Sequence, residues 1–343
     1  MEIIKYNEIN IRKKHLLSFS IVKIIGPYRE FSKYTNSLDR ILNHTRDNIF
    51  DFDVRVYFDN SCHTEIKPLM NKFKKVEFFK FNYPPLRVGD YHDGTFGSLV
   101  RLFPIFEHHP SEFHLYEYIW IDDIDLLPKN LNLNDINKKD IIGFNTYFSS
   151  LFCYSKRWIK ASHSYNMNFP LITNLKLDPK IFYKFIDDLA NNRYRDVVED
   201  ILKFRPDRYK YDYPVRHPYG MDEYFTNNII YNDLTKYSTY VSYQVEITPL
   251  LKEISYTKEI DNKYKEILKS LLDLHYLSYK ATNLKIIKNI NNTYIKLFNK
   301  LDKQKLYLLI DENKKSCIKE YIDFLNKYDM KDINNFKYIL KIN

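Results

Sequence analysis

The sequence predicts an α/β fold: a mostly parallel sheet flanked by helices, with a helical C-terminal extension. Two observations carry the sheet. Short apolar strands alternate with stretches of helical period through the first half, and three polar clusters fall at strand ends. A third, a Lys-rich helical pattern without Gly or Pro after Pro249, carries the extension. In open α/β sheets ligands bind at the carboxyl ends of the strands, so those clusters are the first candidates for a site.

The elements read in order. Phe19–Ile25 is a buried strand closed by Gly26-Pro27. Lys33–Thr45 places Tyr34, Leu38, Ile41 and Leu42 at helical spacing. Phe52–Phe58 alternates and stops at Asp59-Asn60. His63–Lys74 reads as a helix, and Val76–Phe81 as a strand stopped by Pro84-Pro85. Thr95–His108 is expected to be one apolar helix. Tyr116–Ile121 is a fourth strand, ending in Asp122-Asp123-Ile124-Asp125. Farther on, Ile141–Phe144, Leu151–Tyr154 and Tyr240–Ile247 read as strands. Pro179–Asn191, Asp196–Phe204 and Met221–Tyr231 read as helices. A boundary near residue 250 separates a 1–250 domain from a 251–343 extension.

The chain has 343 residues, 44% hydrophobic and 28% charged, enough apolar content for a packed core. Gly numbers only 6, and neither GxGxxG nor GxxxxGK[ST] occurs, so a glycine-rich phosphate loop is excluded. Neither GxSxG nor HExxH occurs to point to another catalytic class. Cys62, Cys153 and Cys317 form no CxxC pair, which fits a reducing compartment. With no apolar leader and no long apolar run, the expected location is cytoplasmic. The net charge is +9, and most of it lies after residue 250, where nineteen Lys and no Arg face twelve acids. A solvated helical face explains that excess better than nucleic-acid binding, because no Arg is interleaved with its aromatics.

The acidic cluster is the sharpest signal. Asp is a poor strand former, and three in four positions after a very apolar strand invite a cation. Asp123 and Asp125 are two apart, so an extended backbone points both to one face. Hard carboxylates suit Mg²⁺ or Mn²⁺, which take one or two protein carboxylates plus substrate phosphates. The plainer alternative is a polar turn at the end of a strand, with one Asp capping a helix.

This pattern resembles the DxD-containing, nucleotide-sugar-dependent glycosyltransferases of the GT-A fold. Tyr34 and Leu38 followed by Val54-Arg-Val-Tyr-Phe-Asp59 look like one family segment. Gly94-Thr-Phe-Gly97-Ser-Leu-Val-Arg101-Leu-Phe-Pro104 looks like the helix before the DxD strand, and Tyr219-Gly-Met-Asp222-Glu223 looks like the later acidic motif. The resemblance covers residues 17–250 with the segments in order. It implies transfer of a sugar from a UDP- or GDP-sugar to a hydroxyl of a glycan, protein or other acceptor, with Mn²⁺ or Mg²⁺.

On that basis Asp123 and Asp125 would hold the metal, and Asp123 could also touch ribose. Asp59 would meet base or ribose, unless it merely forms an Asx-turn with Asn60 and Ser61. Tyr28 would stack on the base. Arg101, in an otherwise apolar helix, would orient a DxD carboxylate or contact the diphosphate. Asp222, with Glu223 second, would act as base or positioner for the acceptor. His217 would serve phosphate or acceptor, and His92 and Asp93 would lie near the donor. A nucleotidyltransferase on a similar sheet and a basic nucleic-acid-binding protein are the alternatives, the latter predicting salt-dependent affinity.

Overall fold

The computed structural model describes residues 1–7, 14–24, 30–48, 52–107, 116–124, 140–143, 171–173, 175–204, 213–230, 239–241 and 262–280, with six further single positions between 233 and 300. Residues 25–29 and 125–139 lie outside this set, and so therefore do Tyr28 and Asp125. So do Leu151–Tyr154, most of the 205–219 aromatic loop and most of the 251–343 extension.

The chain opens on β1 (Glu2–Lys5) and β2 (His15–Ile21), then α1 (Phe31–Asn48) and β3 (Phe52–Phe58). A 3₁₀ turn at Asn60–Cys62 leads into α2 (His63–Lys72) and β4 (Val76–Asn82). A two-stranded ribbon, β5 (Arg87–Val88) and β6 (Tyr91–His92), precedes α3 (Phe96–Val100). Then come β7 (Tyr118–Ile121), β8 (Asp140–Gly143) and β9 (Leu171–Thr173). α4 (Pro179–Ala190), α5 (Arg195–Phe204), α6 (Met221–Tyr224), β10 (Thr239–Val241) and α7 (Asn262–Lys280) complete the described elements.

One eight-stranded sheet has the order β1-β4-β3-β2-β7-β9-β8-β10. The central run β4-β3-β2-β7 is parallel throughout, as is β8-β10; β1, and β9 on both sides, pair antiparallel. The chain moves from β2 outward to β3 and β4, then returns to lay β7 on the other side of β2. That reversal makes the carboxyl ends of β2 and β7 a topological switch point, where open α/β sheets form a crevice.

Alternation along the strands sorts the core into two layers. Leu17, Phe19, Ile21, Val54, Val56, Phe58 and Trp120 pack against Leu38, Ile41 and Leu42 of α1 and Ile66 and Leu69 of α2. Leu16, Tyr57, Ile119 and Ile121 face the opposite way. They join the cluster of Phe96 and Leu99 of α3, Phe182 and Phe185 of α4, and Met221 of α6. Burial on both faces explains why these strands read as near-continuous apolar runs.

Three expectations change. The 95–108 stretch is not one helix: α3 ends at Val100, and a 3₁₀ turn at Phe103–Phe106 follows. Pro104 lacks the N–H a continuing α-helix would need. The first strand begins and ends earlier than expected, at His15 and Ile21. The 221–231 helix keeps α geometry only to Tyr224 and widens into a π-turn over Phe225–Ile229. No helix among the described residues is long and apolar enough to cross a membrane.

Candidate functional site

β7 ends at Ile121, beside Ser18 of β2, and the register sends the next two side chains to opposite faces. Asp122 turns back into the protein. It accepts from Trp120 Nε1 at 3.1 Å and from the Asp123 N–H at 2.8 Å. Burial pushes its carboxyl up to about 7, assisted by the Asp123 charge and opposed by those two hydrogen bonds and Arg101. Asp122 therefore shapes the strand end. Asp123 faces the other way, toward Arg101, with its side chain 30% exposed.

Arg101 is the centre of the site. It caps the carboxyl end of α3, and Ser18 Oγ donates to its carbonyl at 2.8 Å, tying that backbone to β2. Its guanidinium is buried and spans two acids: Nη2 lies 3.1 Å from Asp222 Oδ2, and Nη1 lies 3.7 Å from Asp123 Oδ2. Nη1 also donates to the Asp122 carbonyl at 3.4 Å. Burial works against the charge, but the neighbouring acids outweigh it and hold the group more firmly protonated than usual. Residues 101, 123 and 222, read as members of three separate motifs, thus meet at the switch point.

Asp222 opens α6 and its Oδ1 accepts the Glu223 N–H at 3.0 Å; both acids are buried. Thr226 Oγ1 donates to the Asp222 carbonyl inside the widened turn, which is how a π-turn accommodates a residue held from outside.

His217 is completely buried. Its carbonyl accepts the Thr95 N–H at 2.9 Å, its Nδ1 lies 3.4 Å from Thr95 Oγ1, and Phe96 meets the ring edge-on. Nε2 has no hydrogen-bond partner among the described residues. Burial lowers its pKa to about 4, against the opposing pull of Asp222 and Asp93, so the ring is neutral at pH 7. A neutral ring has no charge to offer a phosphate.

A brace holds the two halves together. Asp93, fully buried, accepts from the backbone N–H groups of Arg216 at 3.0 Å and His217 at 3.2 Å, and from Arg216 Nε at 3.0 Å. Gly94 (φ +51°) donates its N–H to Tyr213 Oη at 2.7 Å. A Cβ on Gly94 would collide with the His217 carbonyl, and one on Gly97 with Val22. Both glycines therefore permit close approach. Gly94→Ala is expected to cost about 2–4 kcal/mol, from positive φ plus the clash. Urea unfolding checks it, and a loss below about 0.5 kcal/mol would refute the brace.

Asp59 sits where expected, after β3, but its carboxylate is fully engaged. Oδ1 accepts from the Ser61 N–H at 3.1 Å and from the Ser61 hydroxyl, and Oδ2 bonds His92 Nδ1 at 2.9 Å. His92 Nε2 accepts the Tyr83 N–H at 3.0 Å, so the ring proton sits on Nδ1 and goes to Asp59. Asp59 thus forms the Asx-turn, with its carboxylate buried and bonded within the protein. His92 and Asp93 are likewise braces rather than ligand contacts. The Asp93-Gly94 turn signal was in the sequence; its partner Arg216, 123 residues away, was not.

Among the described residues no group of three or more His, Cys, Asp and Glu is arranged to hold a metal. Asp123 alone of the DxD pair can be placed. A single partly exposed carboxylate, 3.7 Å from Arg101, is compatible with a Mg²⁺- or Mn²⁺-diphosphate, since such ions accept one protein carboxylate when phosphates supply the rest. The fold and site define an α/β protein with an acid–arginine–acid bridge at the switch point of its sheet. Set beside known protein families, curated proteins and solved structures, the chain matches none.

Proposed function

We propose that the chain is a metal-dependent glycosyltransferase of GT-A type, moving a sugar from a nucleotide-diphosphate-sugar to an acceptor hydroxyl. One observation carries this reading: the Arg101 guanidinium lies 3.1 Å from Asp222 and 3.7 Å from Asp123, at the carboxyl ends of β2 and β7. Hard oxygen ligand, cation and second acid are the parts that diphosphate departure and hydroxyl activation require.

Asp123 would hold Mn²⁺ or Mg²⁺, with Asp125 as the expected second ligand. The ion, when bound, offsets negative charge on the departing diphosphate. Arg101 orients Asp123 and presents fixed positive charge on the same side. Asp222, paired with Arg101 and set across from Asp123, accepts a hydrogen bond from the acceptor hydroxyl and takes up its proton. Arg101 and Asp222 are buried, which strengthens their pairing.

Thermal shift against UDP-, GDP- and CMP-sugars, with and without Mn²⁺, tests the reading. One nucleotide class should stabilise the chain only with metal, by about 2.7 kcal/mol at a hundredfold excess over Kd. Asp123→Asn should keep the unfolding free energy within about 1 kcal/mol and abolish that shift. No stabilisation by any nucleotide-sugar with metal would end the proposal.

A further inference from the structure

The His217 imidazole is a buried polar group that the metal, diphosphate and base roles leave unused. Its ring is anchored on one side by Thr95 and Phe96 and on the backbone by Asp93 and Thr95. Its position is therefore set, yet Nε2 is left without a protein partner. Leaving a buried polar atom without a hydrogen bond is costly, so such an atom on a ring held in place by several contacts calls for an explanation.

We propose that His217 Nε2 is the hydrogen-bonding contact for a hydroxyl of a carbohydrate acceptor, which places the acceptor subsite beside Asp222 and away from the diphosphate. This rests on the sugar-transfer reading above. Three observations choose the ligand class. The ring is neutral, and the carboxylates acting on it, Asp222 and Asp93, are each already paired with an arginine, so it offers an anionic group no charge of its own. The Thr95 hydroxyl facing Nδ1 can donate or accept, so Nε2 can take either role. A hydroxyl is the neutral group that matches both. Tyr213 and Tyr219, half-buried on the same loop, offer aromatic surface suited to the C–H faces of a sugar. The ring is sealed from solvent, so the contact forms only as the surrounding side chains give way on ligand entry.

The test is a proton–nitrogen correlation spectrum of the histidine rings in the full chain. Methyl glycosides of glucose, galactose, mannose and N-acetylglucosamine are added one at a time, and inorganic pyrophosphate separately. The His217 Nε2 resonance should move saturably with at least one glycoside and stay fixed with pyrophosphate. His217→Phe should weaken that glycoside about tenfold, the scale of one neutral hydrogen bond, without lowering the unfolding midpoint. Movement with pyrophosphate would place His217 in the donor site and overturn the proposal. No movement with any glycoside, or unchanged affinity in His217→Phe, would overturn it equally. The nucleotide-sugar thermal shift is a separate readout. Its absence beside a positive glycoside result would sink the transfer reading while leaving a carbohydrate site at His217.

Discussion

Arg101→Met is expected to destabilise the chain by about 3–5 kcal/mol, and to abolish the sugar transfer proposed above, because it strands acids that the guanidinium now bridges. Asp222 is nearly fully buried and lies 3.1 Å from Nη2, so its carboxylate would lose its charge partner with little water to replace it. The loss should shrink when Asp222→Asn is added, since the second change removes the stranded charge. A double-mutant cycle by urea unfolding measures this directly. Additive losses in the cycle would show that the bridge is geometric only. Arg101→Lys should not rescue transfer. A single ammonium cannot reach Asp123, Asp222 and the Asp122 carbonyl together as the planar fork does.

Arg55→Met should also cost about 3–5 kcal/mol; Arg55 pairs across the sheet with Ser18, whose hydroxyl holds the Arg101 carbonyl. Arg55 is buried in β3 and bonds Glu77 Oε2 through Nε and Nη2, both at 2.9 Å. Nη1 reaches Glu107 at 2.8 Å, and the guanidinium lies 4.5 Å from the centre of the Phe79 ring. Lys5 of β1 joins the same Glu77 at 3.1 Å. Burial pushes the Glu77 carboxyl up, but Arg55 and Lys5 win and hold it below its ordinary value of 4.5. A depressed carboxyl contributes stability that is whole above the unfolded value and drains as pH falls through the folded one. The acid limb of wild-type unfolding should therefore show this loss below about pH 4.5, and Arg55→Met should flatten it. An unchanged acid limb in the variant would show that Glu77 is held by something other than Arg55.

Much of the fold was legible. Val54, Val56 and Phe58 alternate with Arg55 and Tyr57, and that period alone placed β3 to the residue. Leu38, Ile41 and Leu42 predicted the buried face of α1. β1 escaped notice because Glu2–Lys5 is four residues with every second one exposed, and its place is made by β4, more than seventy residues later. The 95–108 helix misread Pro104, whose ring ended an apolar stretch that periodicity alone would continue.

At the site, residue types and positions were legible but uses were not. Asp59 was expected after β3, and whether it met a ligand or a turn was decided by His92 and Ser61. Asp122 and Asp123 look alike in the sequence; strand pleating sends one to Trp120 and the other to Arg101. The neutrality of His217 depends on burial, which its Pro218-Tyr219 neighbourhood does not announce.

The amino-acid order by itself determined the long central strands, the main helices and the location of acids at strand ends, because hydrophobic period and Asp-rich turns are local properties of the chain. Only the tertiary structure decided that Arg101 joins Asp222 across 121 residues, and that Asp93 clamps Arg216 across 123. Such pairings form when the chain closes and water leaves. Their energy comes from proximity and desolvation, and neither is written in sequence spacing.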